Sequence, residues 1–258
     1  MTEDFQETYG LEVLPALIQA IDDPVPRVSA HCASAITNFM DGASEELVLP
    51  HMGALSQKLG LHMKNGISIQ KENAVTAFAS SAVAIKENFD PHFNETMDLL
   101  LSCLQENPQP EYRQFRAQVI EAITLISSGV SIEVFKPQAD RIIQAMIFIQ
   151  NQKLETNDPQ RSYLLSAWQR ICLRMKHEFT PYLKDILPNI LSTANLTPEM
   201  GIEGSGGADL TDVLKEINPE GEKKTNIMTD EIDEKDTAIQ MLVVFIEELG
   251  AGCYDYLQ

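Results

Sequence analysis

Asp22-Asp23-Pro24-Val25-Pro26-Arg27-Val28-Ser29-Ala30-His31 lies between two stretches of helical apolar spacing, and its reading decides the fold. Two prolines this close cannot sit inside a continuing helix, because proline lacks the N–H and its ring collides with the carbonyl four residues back. Pro26 instead suits the first turn of a new helix, where the missing N–H has no intrahelical partner to lose. The stretch reads as a reversal between two helices, the second running about Arg27–Met40.

The same grammar recurs along the chain. An apolar residue followed by proline and a helical apolar stripe occurs at Leu14-Pro15, Leu49-Pro50, Phe89-Asp90-Pro91, Phe135-Lys136-Pro137 and Phe179-Thr180-Pro181, with the prolines 35, 41, 46 and 44 residues apart. Each proline is read as the start of a first helix, with stripes such as Leu55, Leu59 and Met63, or Met97, Leu100, Leu101 and Leu104. Turn signals follow at Asn65-Gly66, Asn107-Pro108-Gln109-Pro110 and Asn157-Asp158-Pro159. Second helices are expected over about Arg27–Met40, Ile69–Lys86, Tyr112–Ser127, Gln160–Met175 and Lys235–Leu249.

A unit of about 40 residues made of two helices and no strand fits HEAT or armadillo repeats better than shorter repeat types. The expected fold is therefore all-α, a right-handed α–α superhelix of the HEAT-repeat kind with about five helix pairs at 10–42, 46–87, 89–128, 132–176 and 179–250. The stretch 195–235, with Gly201, Gly204, Gly206 and Gly207 among acidic residues, reads as a mobile acidic insertion inside the last pair. Solenoids need polar caps on their terminal faces, and neither Phe5 and Tyr9 nor Tyr254 and Tyr256 look like caps, so the chain reads as a fragment of a longer array.

Composition narrows the function. Asp and Glu number 38 against 19 Lys and Arg, a formal charge of −19, which argues against nucleic acid and anionic membrane and for basic partners; solubility alone is the plainer explanation of such acidity. Cys32, Cys103, Cys172 and Cys253 stand singly, without metal-ligand spacing, and read as reduced core thiols. No apolar run has the length of a membrane span, and Thr2-Glu3-Asp4 is not the start of a signal peptide, which points to a soluble, non-secreted protein.

No catalytic constellation, metal site or cofactor site is expected. Gly204-Ser205-Gly206-Gly207 lacks the preceding strand and the Lys-Ser/Thr of a phosphate loop, and His31, His51, His62, His92 and His177 are scattered over different helices. Trp168, within a stripe with Leu164, Leu165, Ile171 and Cys172, reads as core.

The second helices carry polar stripes in register. Arg27, His31, Ser34, Asn38 and Asp41 step by 4, 3, 4 and 3, and Asn73, Thr76 and Ser80, or Gln114, Gln118 and Glu121, repeat the pattern. Any outer helix face must be polar, so a single stripe means little. Stacked in a solenoid, the stripes become one wall able to hold an extended chain. Amides at Asn38, Asn73 and Gln118 can bond a peptide backbone, and Asp41, Glu72 and Glu121 can pair with lysine or arginine.

Pro26-Arg27-Val28-Ser29-Ala30-His31 with Ala35-Ile36-Thr37-Asn38-Phe39, then Ala74-Val75-Thr76, Ile120-Glu121-Ala122-Ile123-Thr124-Leu125-Ile126, Asp158-Pro159-Gln160-Arg161-Ser162-Tyr163, Ser166-Ala167-Trp168 and Gln240-Met241-Leu242-Val243 are shared in order with a known family. On these residues the chain resembles the importin-beta (karyopherin-beta) nuclear transport receptors, most closely the beta-3 branch. The resemblance implies a HEAT solenoid from mid-receptor, shuttling between cytoplasm and nucleus. It further implies that lysine-rich localisation signals of cargo bind the concave face, with Asn38, Asp41 and Asn73 foremost and Glu72, Gln118 and Glu121 beside them. For a full-length receptor it implies Ran-GTP, bound chiefly by amino-terminal repeats, and Phe-Gly nucleoporins between first helices. A HEAT scaffold joining folded proteins stays open as the alternative.

Overall fold

The computed structural model describes residues 3–152, 154–155, 158–195 and 221–256, with Glu3, 221–231 and Asp255 described by backbone alone. The chain divides into two compact units, Met1–Lys153 and Leu154–Gln258. Among the described residues there are α-helices and short 3-10 segments and no strand.

In the first unit, α1 (Glu3–Ala20) pairs with α2 (Pro26–Met40) across the reversal, where the Asp23 carboxylate accepts from the Val25 N–H at 2.8 Å and Pro26 opens the new helix. A short α3 (Glu45–Val48) and a 3-10 turn lead into α4 (Met52–Asn65), which pairs with α5 (Ser68–Ala84). Next, α6 (Asp90–Glu106) pairs with α7 (Arg113–Gly129), and α8 (Ile132–Gln150) closes the unit against α6. The helices hold together through fully buried side chains such as Leu14, Ile36, Phe39, Leu55, Phe93 and Phe115.

Successive pairs are also joined by polar contacts between equivalent positions. Gln70 Nε2 donates to Ser29 Oγ at 2.7 Å, the Asp90 carboxylate accepts from the Ser131 N–H at 2.9 Å, and Gln138 Nε2 donates to Asn94 Oδ1 at 2.9 Å. These partners are 41, 41 and 44 residues apart, so the repeat period visible in the prolines is also the spacing of the contacts. Within pairs, two buried cations cap first helices. Lys71 Nζ donates to the Met63 and Lys64 carbonyls, both at 2.9 Å, and Arg116 donates to the Asn107 and Gln109 carbonyls at 2.6 and 2.9 Å. Each cation stands at the fourth position of its second helix, aimed at the negative end of the helix before it. Lys71 also lies 5.5 and 5.4 Å from the ring centres of Tyr112 and Phe115.

The second unit comprises α9 (Gln160–Met175), α10 (Leu183–Ala194) and α11 (Gly221–Leu249), with 3-10 segments at Lys176–Tyr182 and Gly250–Tyr256. Asp158, itself buried, accepts from the Gln160 N–H at 2.9 Å and so caps α9. Trp168 is fully buried, as its stripe implied, with the Phe179 ring at 6.3 Å and the Phe245 ring tilted against Phe179 at 5.5 Å. Arg161 and Glu234, 3.0 Å apart, join α9 to α11.

Three expectations need correction. Pro91 opens α6, and Pro50 and Pro181 sit in 3-10 turns just ahead of α4 and α10, but Pro15 and Pro137 lie inside α1 and α8. An interior proline costs a helix about 3 kcal/mol. The turns ahead of these two are held by tertiary contacts: Gln6 is buried and donates to the Phe39 and Asp41 carbonyls, and Phe135 is fully buried, worth about 2–3 kcal/mol. The last second helix begins at Gly221 rather than Lys235, consistent with a run free of proline and, past Gly221, of glycine. The expected mobile insertion otherwise falls on 196–220, outside the described residues. Finally, the helix expected to reach Lys86 stops at Ala84, with Lys86 left-handed at φ 47°.

Left-handed residues follow four of the second helices: Gly42, Lys86, Lys176 and Gly250. Glycine is the natural occupant of this position, and a side chain there costs roughly 1–2 kcal/mol. Lys176 sits there at φ 51° and ψ −131°, with a side chain where glycine is favoured. Lys176→Gly should therefore stabilise the second unit by about 1 kcal/mol. An upward shift of the urea midpoint followed by Trp168 fluorescence checks this, and an unchanged midpoint would mean that the turn relaxes around lysine.

All four cysteines are free thiols, with Cys103, Cys172 and Cys253 buried. Burial pushes the Cys103 thiol up to about 11 and Cys172 to about 12. A raised thiol pKa means that both remain protonated, and so unreactive, throughout the neutral range. Iodoacetamide at pH 8 should modify half-buried Cys32 first and reach Cys103 and Cys172 only on unfolding, as peptide mass spectrometry would report.

Candidate functional site

The six candidate residues all fall in the first unit, five on α2, α5 and α7 and Asp41 just past the end of α2, and these helices lie side by side in that order. Their register follows from two contacts. The Gln70–Ser29 hydrogen bond pairs the first turn of α5 with that of α2. At the other end of α5, a Cβ on Gly129 would lie 4.0 Å from the Val83 Cα, which sets α7 alongside α5 in the same direction.

Counting from these contacts, Asn38 is level with Ala79 and Ser80 on α5, whereas Glu72 and Asn73 are level with His31 and Cys32 on α2. Gln118 is level with Glu72, and Glu121 with Val75. The candidates therefore form two groups rather than one row. Asn38 and Asp41 lie toward the helix C-termini, and Glu72, Asn73, Gln118 and Glu121 lie nearer the N-termini. At a rise of 1.5 Å per residue the two levels are separated by roughly 11 Å along the helices.

The first group lines a groove of about 810 Å³ between the C-terminal ends of α2 and α5. Asn38 and Asp41 are exposed, and the Asp41 backbone is held by Gln6 Nε2 at 2.8 Å. Two further residues of this groove, Glu45 and Lys86, escaped the sequence reading. Lys86 Nζ lies 2.8 Å from one Glu45 carboxylate oxygen, and Asn88 Nδ2 donates to the other at 3.0 Å. The Lys86 ammonium holds the Glu45 carboxyl below the usual glutamate value, and Glu45 in return holds Lys86 above the usual lysine value. Glu45 opens the short α3 and Lys86 follows the end of α5, 41 positions on, so neither lies on the polar stripes of the second helices from which the candidates were read.

In the second group, Glu72 accepts from Ser68 Oγ at 2.8 Å, and Asn73 Nδ2 donates to the Ile69 carbonyl at 2.8 Å. One Asn73 amide hydrogen is thus used within its own helix, and its oxygen is the acceptor left to a ligand. The Gln118 side-chain oxygen is buried and finds no donor among the described residues. A buried acceptor left so costs about 1–3 kcal/mol.

A separate groove of about 680 Å³ opens between the C-terminal halves of the first helices α6 and α8, lined by Leu101, Leu104, Pro108, Phe148 and Ile149 with Arg141 at its edge. Phe148 is 69% exposed there, unusual for a ring of its size. Among the described residues there is no group of histidine, cysteine or carboxylate side chains able to hold a metal ion.

No protein-family model matches the chain. Importin subunit beta-3 of Saccharomyces cerevisiae is 31% identical over 198 residues, 76% of this chain and 18% of the relative. The crystal structure of Kap121p superposes over 98% of this chain and 24% of that chain, with a TM-score of 0.79 and 26% identity. This chain is homologous to the importin-beta karyopherins. A probable importin-5 homolog of Dictyostelium discoideum, 27% identical over 72% of this chain and 16% of its own length, extends the karyopherin kinship. The chain spans less than a quarter of the length of these karyopherins. The all-α HEAT-repeat solenoid expected from the proline period is the karyopherin fold. Kap121p has also been solved bound to Pho4p and bound to Nup53p.

Proposed function

We propose that this chain belongs to a nuclear transport receptor that moves between cytoplasm and nucleus, and that its α2–α5–α7 wall binds lysine-rich localisation signals of cargo. The observation that carries the reading is the side-by-side arrangement of three second helices presenting amides and carboxylates at two levels. An extended peptide advances about 3.3 Å per residue, so levels roughly 11 Å apart along helices whose axes are about 8–10 Å apart suit basic residues about four positions apart. The net charge of −19 favours such a ligand, and the cargo-bound structures of Kap121p support it by homology. Asn38, Asp41 and Asn73 are the foremost contacts, with Glu72, Gln118 and Glu121 beside them.

The apolar α6–α8 groove with exposed Phe148 suits Phe-Gly nucleoporin segments, whose rings would bury there. Ran-GTP is the release signal this reading assigns to the complete receptor.

The test is a titration of a fluorescent lysine-rich peptide at low and physiological salt, with a Phe-Gly peptide run in parallel. Salt-sensitive lysine-peptide binding, weakened about tenfold by Asn38→Ala with Asn73→Ala, is expected; the Phe-Gly peptide should be indifferent to that substitution. Absence of lysine-peptide binding at low salt would move the assignment to a HEAT scaffold that joins folded proteins.

A further inference from the structure

The groove between the ends of α2 and α5 is not an empty acidic surface. Asp41, Glu45 and Glu46 line it together with a single cation, Lys86, whose ammonium is already seated on Glu45. Lys86 reaches this place from a left-handed backbone position just past α5, at φ 47°, where its side chain turns back across to α3. The Lys86 side chain is 69% exposed, so the pair is open to exchange with solvent ions or with another lysine. Glu45 keeps its second oxygen on Asn88, so the carboxylate stays aimed when the lysine leaves.

We propose that Lys86 is a built-in occupant of the lysine-binding groove: it fills Glu45 in the free protein, and a ligand lysine binds by displacing it. The inference rests on the lysine-rich ligand proposed above and adds Glu45 as a specificity residue with Lys86 as its internal competitor. A single lysine cannot match a ligand that also engages Asn38 and Asp41, so displacement favours multivalent basic segments over isolated lysines. The competitor thereby raises selectivity at a small cost in affinity.

The experiment measures binding of the fluorescent lysine-rich peptide to the unsubstituted protein, Lys86→Met, Glu45→Gln and the double variant, with Lys64→Met on exposed α4 removing the same charge elsewhere. Lys86→Met should tighten binding about two- to fivefold, the range of one exposed ion pair, and Lys64→Met distinctly less. In the Glu45→Gln background the gain from Lys86→Met should disappear. Equal effects of Lys86→Met and Lys64→Met, or a gain that persists without Glu45, would overturn the inference and leave the wall intact. If the unsubstituted protein and Lys86→Met both fail to bind, the wall and its competitor fall together.

Discussion

Arg116→Met should destabilise the first unit by about 2–4 kcal/mol, far more than the loss of a surface cation. Arg116 is 9% exposed, and its guanidinium donates to the carbonyls of Asn107 and Gln109, where α6 ends and the chain turns. Hydrogen bonds from a charged donor contribute about 1.5–3 kcal/mol each, and a carbonyl buried without its donor adds a desolvation cost. Methionine keeps most of the apolar stem, so the loss reports the capping bonds rather than a cavity. Lys71→Met, which removes the corresponding cap on α4 and the approach to Tyr112 and Phe115, should cost a similar amount. Arg27→Met, on an exposed position, should stay within about 0.5 kcal/mol. Urea unfolding followed by far-ultraviolet circular dichroism separates these cases. A loss under about 1 kcal/mol for Arg116→Met would mean that water satisfies the freed carbonyls.

The second large effect concerns binding. Asp41→Lys combined with Glu121→Lys should weaken the lysine-rich peptide by about a hundredfold at low salt. Each exchange replaces an attraction with a repulsion, and close charge pairs at interfaces are worth about 1.5 kcal/mol or more apiece. Because Asp41 follows the end of α2 and Glu121 stands on α7, at a different level, their effects should be nearly additive. The loss should shrink as salt rises, since the Debye length falls to about 8 Å at physiological ionic strength. Unchanged circular dichroism would exclude unfolding as the cause. A double reversal that leaves affinity intact would remove the wall on α2, α5 and α7 from the binding site.

The arrangement makes the polar surface modular. Each repeat contributes a short polar stripe, and its neighbours fix the register through contacts such as Gln70–Ser29 and Asp90–Ser131. On the proposed function, changing one stripe would alter one part of a ligand's path without rebuilding the core.

The sequence by itself determined the all-α class, the period and most of the reversals. Proline position, turn residues and three-four apolar spacing act locally, so Asp23 ahead of Pro26 and Asp158 ahead of α9 were legible without tertiary information. It also marked the polar stripes, because a helix repeats every 3.6 residues whatever it packs against. Tertiary structure alone decided that Pro15 and Pro137 lie within helices, since the buried anchors Gln6 and Phe135 outweigh a local preference. It alone divided the six candidates into two levels, because the offset between neighbouring helices is set by contacts across the repeat and not by spacing within it. The Glu45–Lys86 pair and the capping roles of Lys71 and Arg116 were hidden for the same reason: a charge on a chain declares its partner only when folding brings the two together.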